Sequence, residues 1–352
     1  MRQSKFAAAL LAAAFLASCG GDVKPQFTSL VSFGDSLSDV GTYAVGTVAQ
    51  LGGGKYTING PDGKNWIELM APKFGLSAPC PAQTGLDGDP AQGFSVPVTN
   101  STNCTAYAQG GARVTDPVGP GNKLLGGVNA VLGQLTVPVA TQIQTHLTRK
   151  GGSFSGSEIV FVLAGGNDVF IQLATLSATV SAGGDANAAS TAAVTAMGTA
   201  GAQLAGYIKN QIVGKGAKYV AVVNLPDVSK TPFALAESAQ TQALINTMVT
   251  TFNAQLSAGL SGVDVLTIDA YTASRDESAN PAKYGFTNTT APACDLSPQK
   301  NPLGSSLVCT RNNLIAGSVD NYEFADGVHP TPYGYRVLAD LVTAELAKKG
   351  WL

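Results

Sequence analysis

"EIVFVLAGGND", residues 158–168, is the stretch that decides the fold class. From Ile159 to Ala164 every side chain is apolar, most are β-branched or aromatic, and glycines close the run. Such a run is too short for a buried helix and too uniformly apolar for a strand with one wet face. It reads as a strand covered on both sides. The same shape recurs in "FTSLVSFGDS" (27–36), "AKYVAVVNLPD" (217–227) and "VDVLTIDA" (263–270). Helical patterns lie between them: "LTVPVATQIQTHLTRKG" (135–151), an Ala-rich run around 186–213, and "SAQTQALINTMVTTFNAQLSAG" (238–259). A last helix follows "PTPYGY" near the C-terminus. Strands alternating with helices predict a three-layer α/β/α sandwich around a central, mostly parallel sheet. The small-residue stretch 177–203 reads as loop to about Gly184 and helix beyond. No repeat and no domain boundary is visible.

Several of these runs end in a polar or glycine-rich turn: "GDS", "GGND", "NLPD". Open parallel sheets bind ligands beyond the carboxyl ends of their strands, so chemistry is sought in those turns.

Composition narrows the rest. Hydrophobic residues make up 45% and charged residues 12% of the 352, enough for a large core and far from a disordered chain. The N-terminus, "MRQSKFAAALLAAAFLASC", puts two positive charges before an apolar run too short to span a bilayer. Residues 1–18 read as a cleaved signal peptide. "LASC" resembles a bacterial lipobox, which makes Cys19 the expected lipidation site and residues 19–27 a tether to the membrane. Gly20 follows, with no Asp there, which implies the outer membrane of a two-membrane cell. The protein is thus expected to be exported to the cell envelope, and otherwise to be secreted or periplasmic. The formal charge is −2 and there is no basic tract, so a nucleic-acid partner is excluded. Setting Cys19 aside leaves Cys80, Cys104, Cys294 and Cys309. Three disulfide connectivities are open. The local arrangement favours Cys80–Cys104 and Cys294–Cys309, as suits an oxidising compartment. No CxxC spacing exists and histidines number two, so no metal or other cofactor is expected.

Those two histidines bear on "FGDSLSDVG" (33–41), because Ser36 is a nucleophile only if a base and an orienting acid exist. His146 sits at a helix end, where a cation suits the dipole, and a structural or surface role is expected. His329 lies in "FADGVHPTPYGY", three residues after Asp326 and before Pro330, which holds it out of helical geometry. That spacing lets an Asp carboxylate reach Nδ1 and leaves Nε2 free to take a proton.

Taken in order, "FGDSLSDVG", "AYAQGGARV" (106–114), "GGND" (165–168) and "DGVHPT" (326–331) resemble the four sequence blocks of the GDSL, or SGNH, hydrolase family. The resemblance covers essentially all of residues 28–352, read as a single hydrolase domain, and implies a flavodoxin-like SGNH fold. It implies Ser36 as nucleophile, His329 as base and Asp326 as its orienter. It implies an oxyanion hole from the N–H groups of Ser36 and Gly111 and the side-chain amide of Asn167. The second block departs from its usual pattern, with Ala106 where Asn often stands, and this leaves Gly110 as a competing donor. Asp35 and Asp168 read as turn and network residues. The implied activity is carboxylic-ester hydrolysis through an acyl-enzyme on Ser36, on short or medium acyl chains or lysophospholipid-like esters. The alternatives are a carbohydrate acetylesterase and an envelope lipoprotein that keeps the fold without activity. Apolar stretches 124–137 and 169–180 flank the second and third blocks, where an acyl pocket is expected. Besides the ester or lipid and the membrane, no obligatory partner is expected. No GxSxG elbow or phosphate-binding GxxxxGK[ST] loop is present.

Overall fold

The computed structural model describes residues 24–352. The expected signal peptide, Cys19 and all but the end of the expected tether lie outside the described residues. Phe27, the last tether residue, is already packed edge-on against Phe74 and Tyr219.

The strands are β1 (Leu30–Gly34), β2 (Gln83–Asp87), β3 (Ser95–Asn100), β4 (Ile159–Leu163), β5 (Tyr219–Val223) and β6 (Leu266–Ile268). β1, β4, β5 and β6 form one sheet in the order β1-β4-β5-β6, every pair parallel. Phe33, Val162, Val222 and Thr267 stand in register across it. Side chains alternate between faces, as strand geometry requires. Val160, Val162, Val220 and Val222 enter one core, and Ile159, Phe161, Leu163 and Val223 enter the other. Both faces are covered, which is why "IVFVL" shows no polar alternation.

The helices supply the covers. Between β1 and β4 lie the short α1 (Gly46–Gln50), α2 (Trp66–Met70) and α3 (Gly127–Leu132), then α4 (Val139–Arg149). The others are α5 (Gly166–Ser181), α6 (Ala186–Tyr207), α7 (Pro232–Leu235), α8 (Ala239–Gly259), α9 (Ala270–Ala279) and α10 (Pro332–Lys348). Ile143 of α4, Leu204 of α6 and Phe252 of α8 pack on one face. Trp66 of α2 with Tyr335 and Val342 of α10 packs on the other. The architecture is the expected α/β/α sandwich with a parallel sheet.

Three readings need correction. The stretch before Gly184 is not a loop: α5 runs unbroken to Ser181, because the only true breaker is the Gly183–Gly184 pair, and Asp185 then caps α6. The Ala and Gly content of α6 serves close packing. A Cβ on Gly201 would stand 2.3 Å from the Phe252 carbonyl of α8. Second, His146 stands in the last turn of α4 as expected, but not as an exposed cation. It is buried between Phe33, Tyr107 and Phe154, and burial lowers its pKa to about 4. Its role is structural. Third, the antiparallel β2–β3 hairpin is missing from the sequence reading, because its strands are polar and Pro97 interrupts one of them. Cys80–Cys104 closes this hairpin at its base, and Cys294–Cys309 is the second disulfide.

Candidate active site

The site lies beyond the carboxyl ends of β1 and β4. Gly34 ends β1, and any Cβ there would meet the Leu163 carbonyl at 2.1 Å. Gln142 of α4 clamps this strand end: Gly34 N–H donates to its Oε1 at 2.9 Å, and its Nε2 donates to Gly34 O at 2.8 Å. Asp35 then adopts extended backbone and accepts the Leu37 N–H, which turns the chain at Ser36. No α-helix begins at Ser36. Ser36–Ser38 is a single 3-10 turn, too short for an axial dipole of consequence.

His329 projects from the loop before α10. Its Nε2 lies 2.9 Å from Ser36 Oγ, and its Nδ1 lies 2.8 Å from Asp326 Oδ2. Three residues that are 293 apart at their extremes are thereby in hydrogen-bond contact. The Asp326 carboxylate also accepts backbone N–H groups from Ser306, Val328 and His329 at 2.8–2.9 Å. Burial opposes its charge, but His329 and these donors outweigh burial and hold its pKa well below the ordinary carboxylate range. The Tyr56 ring covers the imidazole at 4.7 Å.

A family model described as GDSL-like Lipase/Acylhydrolase matches residues 30–342, from the start of β1 into the last turns of α10. The chain belongs to that family. Over 133 residues it is 29% identical to a GDSL esterase/lipase of Arabidopsis thaliana, covering 35% of each chain. Over 145 residues it is 32% identical to esterase EstA of Pseudomonas aeruginosa, covering 38% of this chain and 20% of that one. The matches thus span about a third or less of these relatives. Among solved structures, an extracellular lipase from Streptomyces rimosus aligns over 90% of this chain and 99% of that one, at 15% identity and TM-score 0.44.

Gly110 and Gly111 differ sharply. The Gly110 N–H donates to Asp39 Oδ2 at 2.9 Å, and its carbonyl accepts from Tyr43. The Gly111 N–H has no partner among the described residues. Gly111 has φ +77°, a Cβ there would stand 2.2 Å from Pro120 O, and the residue lines the same cleft as Ser36 and Asn167. Ala106, the departure from the family pattern, extends the sheet by a parallel bridge to Ser32. Asn167 opens α5, and its amide donates to Ala112 O at 2.8 Å. An amide has two N–H donors, so one remains for a ligand. Asp168 accepts from Arg113 Nε and Val114 N–H at 3.0 Å and ties block two to block three.

One supporting neighbour, Asn59, carries no sequence signal. Asn59 donates to the carbonyls of Ser306 and Cys309, both at 3.0 Å, and so fixes the loop whose Ser306 N–H reaches Asp326. Cys294–Cys309 closes the same loop, and Cys294 N–H bonds Ala325 O beside Asp326. Burial raises the Asp35 pKa to about 7.

Two spaces meet at Ser36 and His329. One is an open cleft of about 850 Å³, walled by Val128, Val131, Leu132 and Phe170. The other is a narrow inner cavity of about 120 Å³ that also reaches Ser36, bounded by Leu225, Ala270, Phe324 and Leu341. Of the two expected apolar stretches, 124–137 walls the open cleft and 169–180 contributes only Phe170, most of 171–180 being turned outward. The inner cavity is made instead by the turn after β5 and by α9 and α10.

Proposed function

We propose that this protein is an exported serine esterase that hydrolyses carboxylic esters through an acyl-enzyme on Ser36. The observation that carries the reading is the continuous Ser36–His329–Asp326 hydrogen-bonded chain. His329 Nε2 takes the proton of Ser36 Oγ as that oxygen bonds to the ester carbonyl carbon. The carbonyl oxygen becomes an anion beside the N–H groups of Ser36 and Gly111 and the Asn167 amide. His329 then gives its proton to the leaving alcohol, and the C–O bond breaks. Water repeats both steps and frees the acid and Ser36. Asp326 stays ionised and holds the imidazole with Nε2 toward the serine.

The alcohol must depart to solvent while the acyl group stays on the enzyme. The open cleft suits a bulky alcohol, such as a glycerolipid or a sugar, and the narrower inner cavity suits a short acyl chain. A chain-length series of chromogenic esters, run beside a panel of acetylated sugars, tests the reading. Turnover should be highest for short acyl chains and should fall as the acyl chain outgrows the inner cavity. A folded protein that hydrolyses none of them would sink the proposal.

Two disulfides suit an oxidising compartment. We place residues 1–18 as a removed signal, residues 19–27 as a tether lipidated at Cys19, and residues 28–352 as the hydrolase domain in the cell envelope. Mass spectrometry of the native N-terminus tests this, and an unmodified peptide running through Cys19 would exclude it.

A further inference from the structure

The far wall of the inner cavity is not apolar. Glu277, on α9, and Glu323, three residues before Asp326, both line it, among Ala273, Phe324, Leu338 and Leu341. Glu323 is only 8% exposed, and its Oε2 has no hydrogen-bond partner among the described residues. Neither glutamate forms an ion pair among those residues. Asp227, on the same wall, is paired with Arg275 at 2.7 Å. Lys230 also lines this wall without contacting either glutamate.

A buried carboxyl with no counter-charge keeps its proton, and the second carboxyl nearby strengthens that tendency. A protonated carboxyl offers one O–H donor and one acceptor oxygen. A methyl-ended acyl chain reaching it would leave that acceptor unpaired, which costs binding. A hydroxyl is itself donor and acceptor and satisfies the group in both directions. A cavity of about 150 Å³ holds benzene, so one of about 120 Å³ holds a chain of roughly four or five heavy atoms.

We propose that the inner cavity is an acyl subsite for a short chain bearing a hydroxyl group, with Glu323 as the residue that reads the hydroxyl. The inference rests on the reading above, in which Ser36 receives the acyl group. It narrows the substrate to esters of hydroxylated acids of about four carbons.

The test compares ethyl butanoate with ethyl 3-hydroxybutanoate, ethyl 4-hydroxybutanoate and ethyl 4-aminobutanoate. Each kcat/KM is measured by pH-stat on the full folded chain and divided by that ester's rate with hydroxide. The better hydroxy ester should exceed butanoate by about tenfold, the value of one good hydrogen bond. Glu323→Gln keeps a neutral donor and acceptor and should keep the preference. Glu323→Leu should abolish or reverse it. Equal or faster turnover of butanoate by the native protein would overturn the inference while leaving the esterase reading intact. So would a preference for the amino ester, which would mark a charged site. A folded Glu323→Leu protein that still prefers the hydroxy ester would also overturn it. If Glu323→Leu does not fold, the native protein and Glu323→Gln still decide. Failure to hydrolyse any of the four would remove the Ser36 reading and this inference with it.

Discussion

Replacing Asp326 with asparagine changes one atom and should disable the base. Asp326 Oδ1 accepts the N–H groups of Val328 and His329 at 2.9 and 2.8 Å. Oδ2 accepts the Ser306 N–H at 2.8 Å and lies 2.8 Å from His329 Nδ1. An amide keeps only one acceptor oxygen. Placing it at the Oδ1 position satisfies two backbone donors and puts the NH2 group where Oδ2 stood. The Ser306 N–H then faces a donor and loses its partner, at about 1–3 kcal/mol. His329 Nδ1 then loses its 2.8 Å acceptor and keeps only Oδ1, 2.9 Å away and already shared by two backbone N–H groups, so the ring is driven toward the tautomer that accepts at Nδ1 and carries its proton on Nε2, pointing at Ser36 Oγ, 2.9 Å away. The serine then has no base. The opposite amide orientation sets the NH2 against two backbone N–H groups and is worse. Asp326→Asn should lower kcat by about 10⁴-fold, the loss expected when a triad acid becomes an amide. KM should change little, and stability should fall by about 1–3 kcal/mol. Steady-state kinetics on a short chromogenic ester, with urea unfolding of the same samples, checks both. A folded variant within tenfold of native kcat would show that Asp326 does not set the tautomer of His329.

Asn167→Ala should lower kcat by about 10²–10³-fold with KM nearly unchanged, because its amide acts on charge that appears only in the tetrahedral intermediate. An unchanged kcat would place the hole elsewhere. Burial raises the Glu323 pKa to about 9, with the charge of Glu277 adding to it, against an ordinary value of 4.5. The folded state therefore holds a proton that the unfolded state releases. That stability is complete below the unfolded pKa and is lost as pH rises toward 9, by at most about 1.4 kcal/mol per pH unit. Between pH 7 and 8.5 the native protein should lose about 2 kcal/mol that Glu323→Gln does not lose, and parallel urea-denaturation curves would refute this. Removing Cys294–Cys309 by a double Ser substitution should cost about 3 kcal/mol by loop entropy and also lower kcat, because Ser306 is then held less firmly against Asp326. Removing Cys80–Cys104 should cost similar stability with kcat nearly kept, and equal effects on kcat would contradict the assigned role of the Ser306 loop.

The central strands were legible because burial on both faces writes an unbroken apolar run, as in Ile159–Leu163. The meeting of Ser36, His329 and Asp326 was legible for a different reason. A chain with two histidines leaves little choice of base, and Asp326 sits three residues from the one that precedes a proline. The β2–β3 hairpin was hidden because polar strands carry no core pattern. The reach of α5 was misjudged because its second half is exposed, so only the absence of a breaker before Gly183 marked it. The structural role of His146 was expected, but its burial was hidden because its neighbours in sequence are polar, while its neighbours in space are Phe33, Tyr107 and Phe154. Between Gly110 and Gly111 the residue types are identical. Only the Asp39 carboxylate on one N–H separates them, and that contact joins positions 71 residues apart. Glu277 and Glu323 belong to no block at all and meet only because α9 and the loop before α10 close over the same cavity.

The measurement that tests the account most directly is covalent labelling of the native protein with a serine-directed phosphonate, read by peptide mass spectrometry. One adduct is predicted, on Ser36, with loss of ester turnover in step with labelling and no adduct in Ser36→Ala. An adduct on another residue, together with ester hydrolysis that survives Ser36→Ala, would contradict the assignment of Ser36 as the nucleophile.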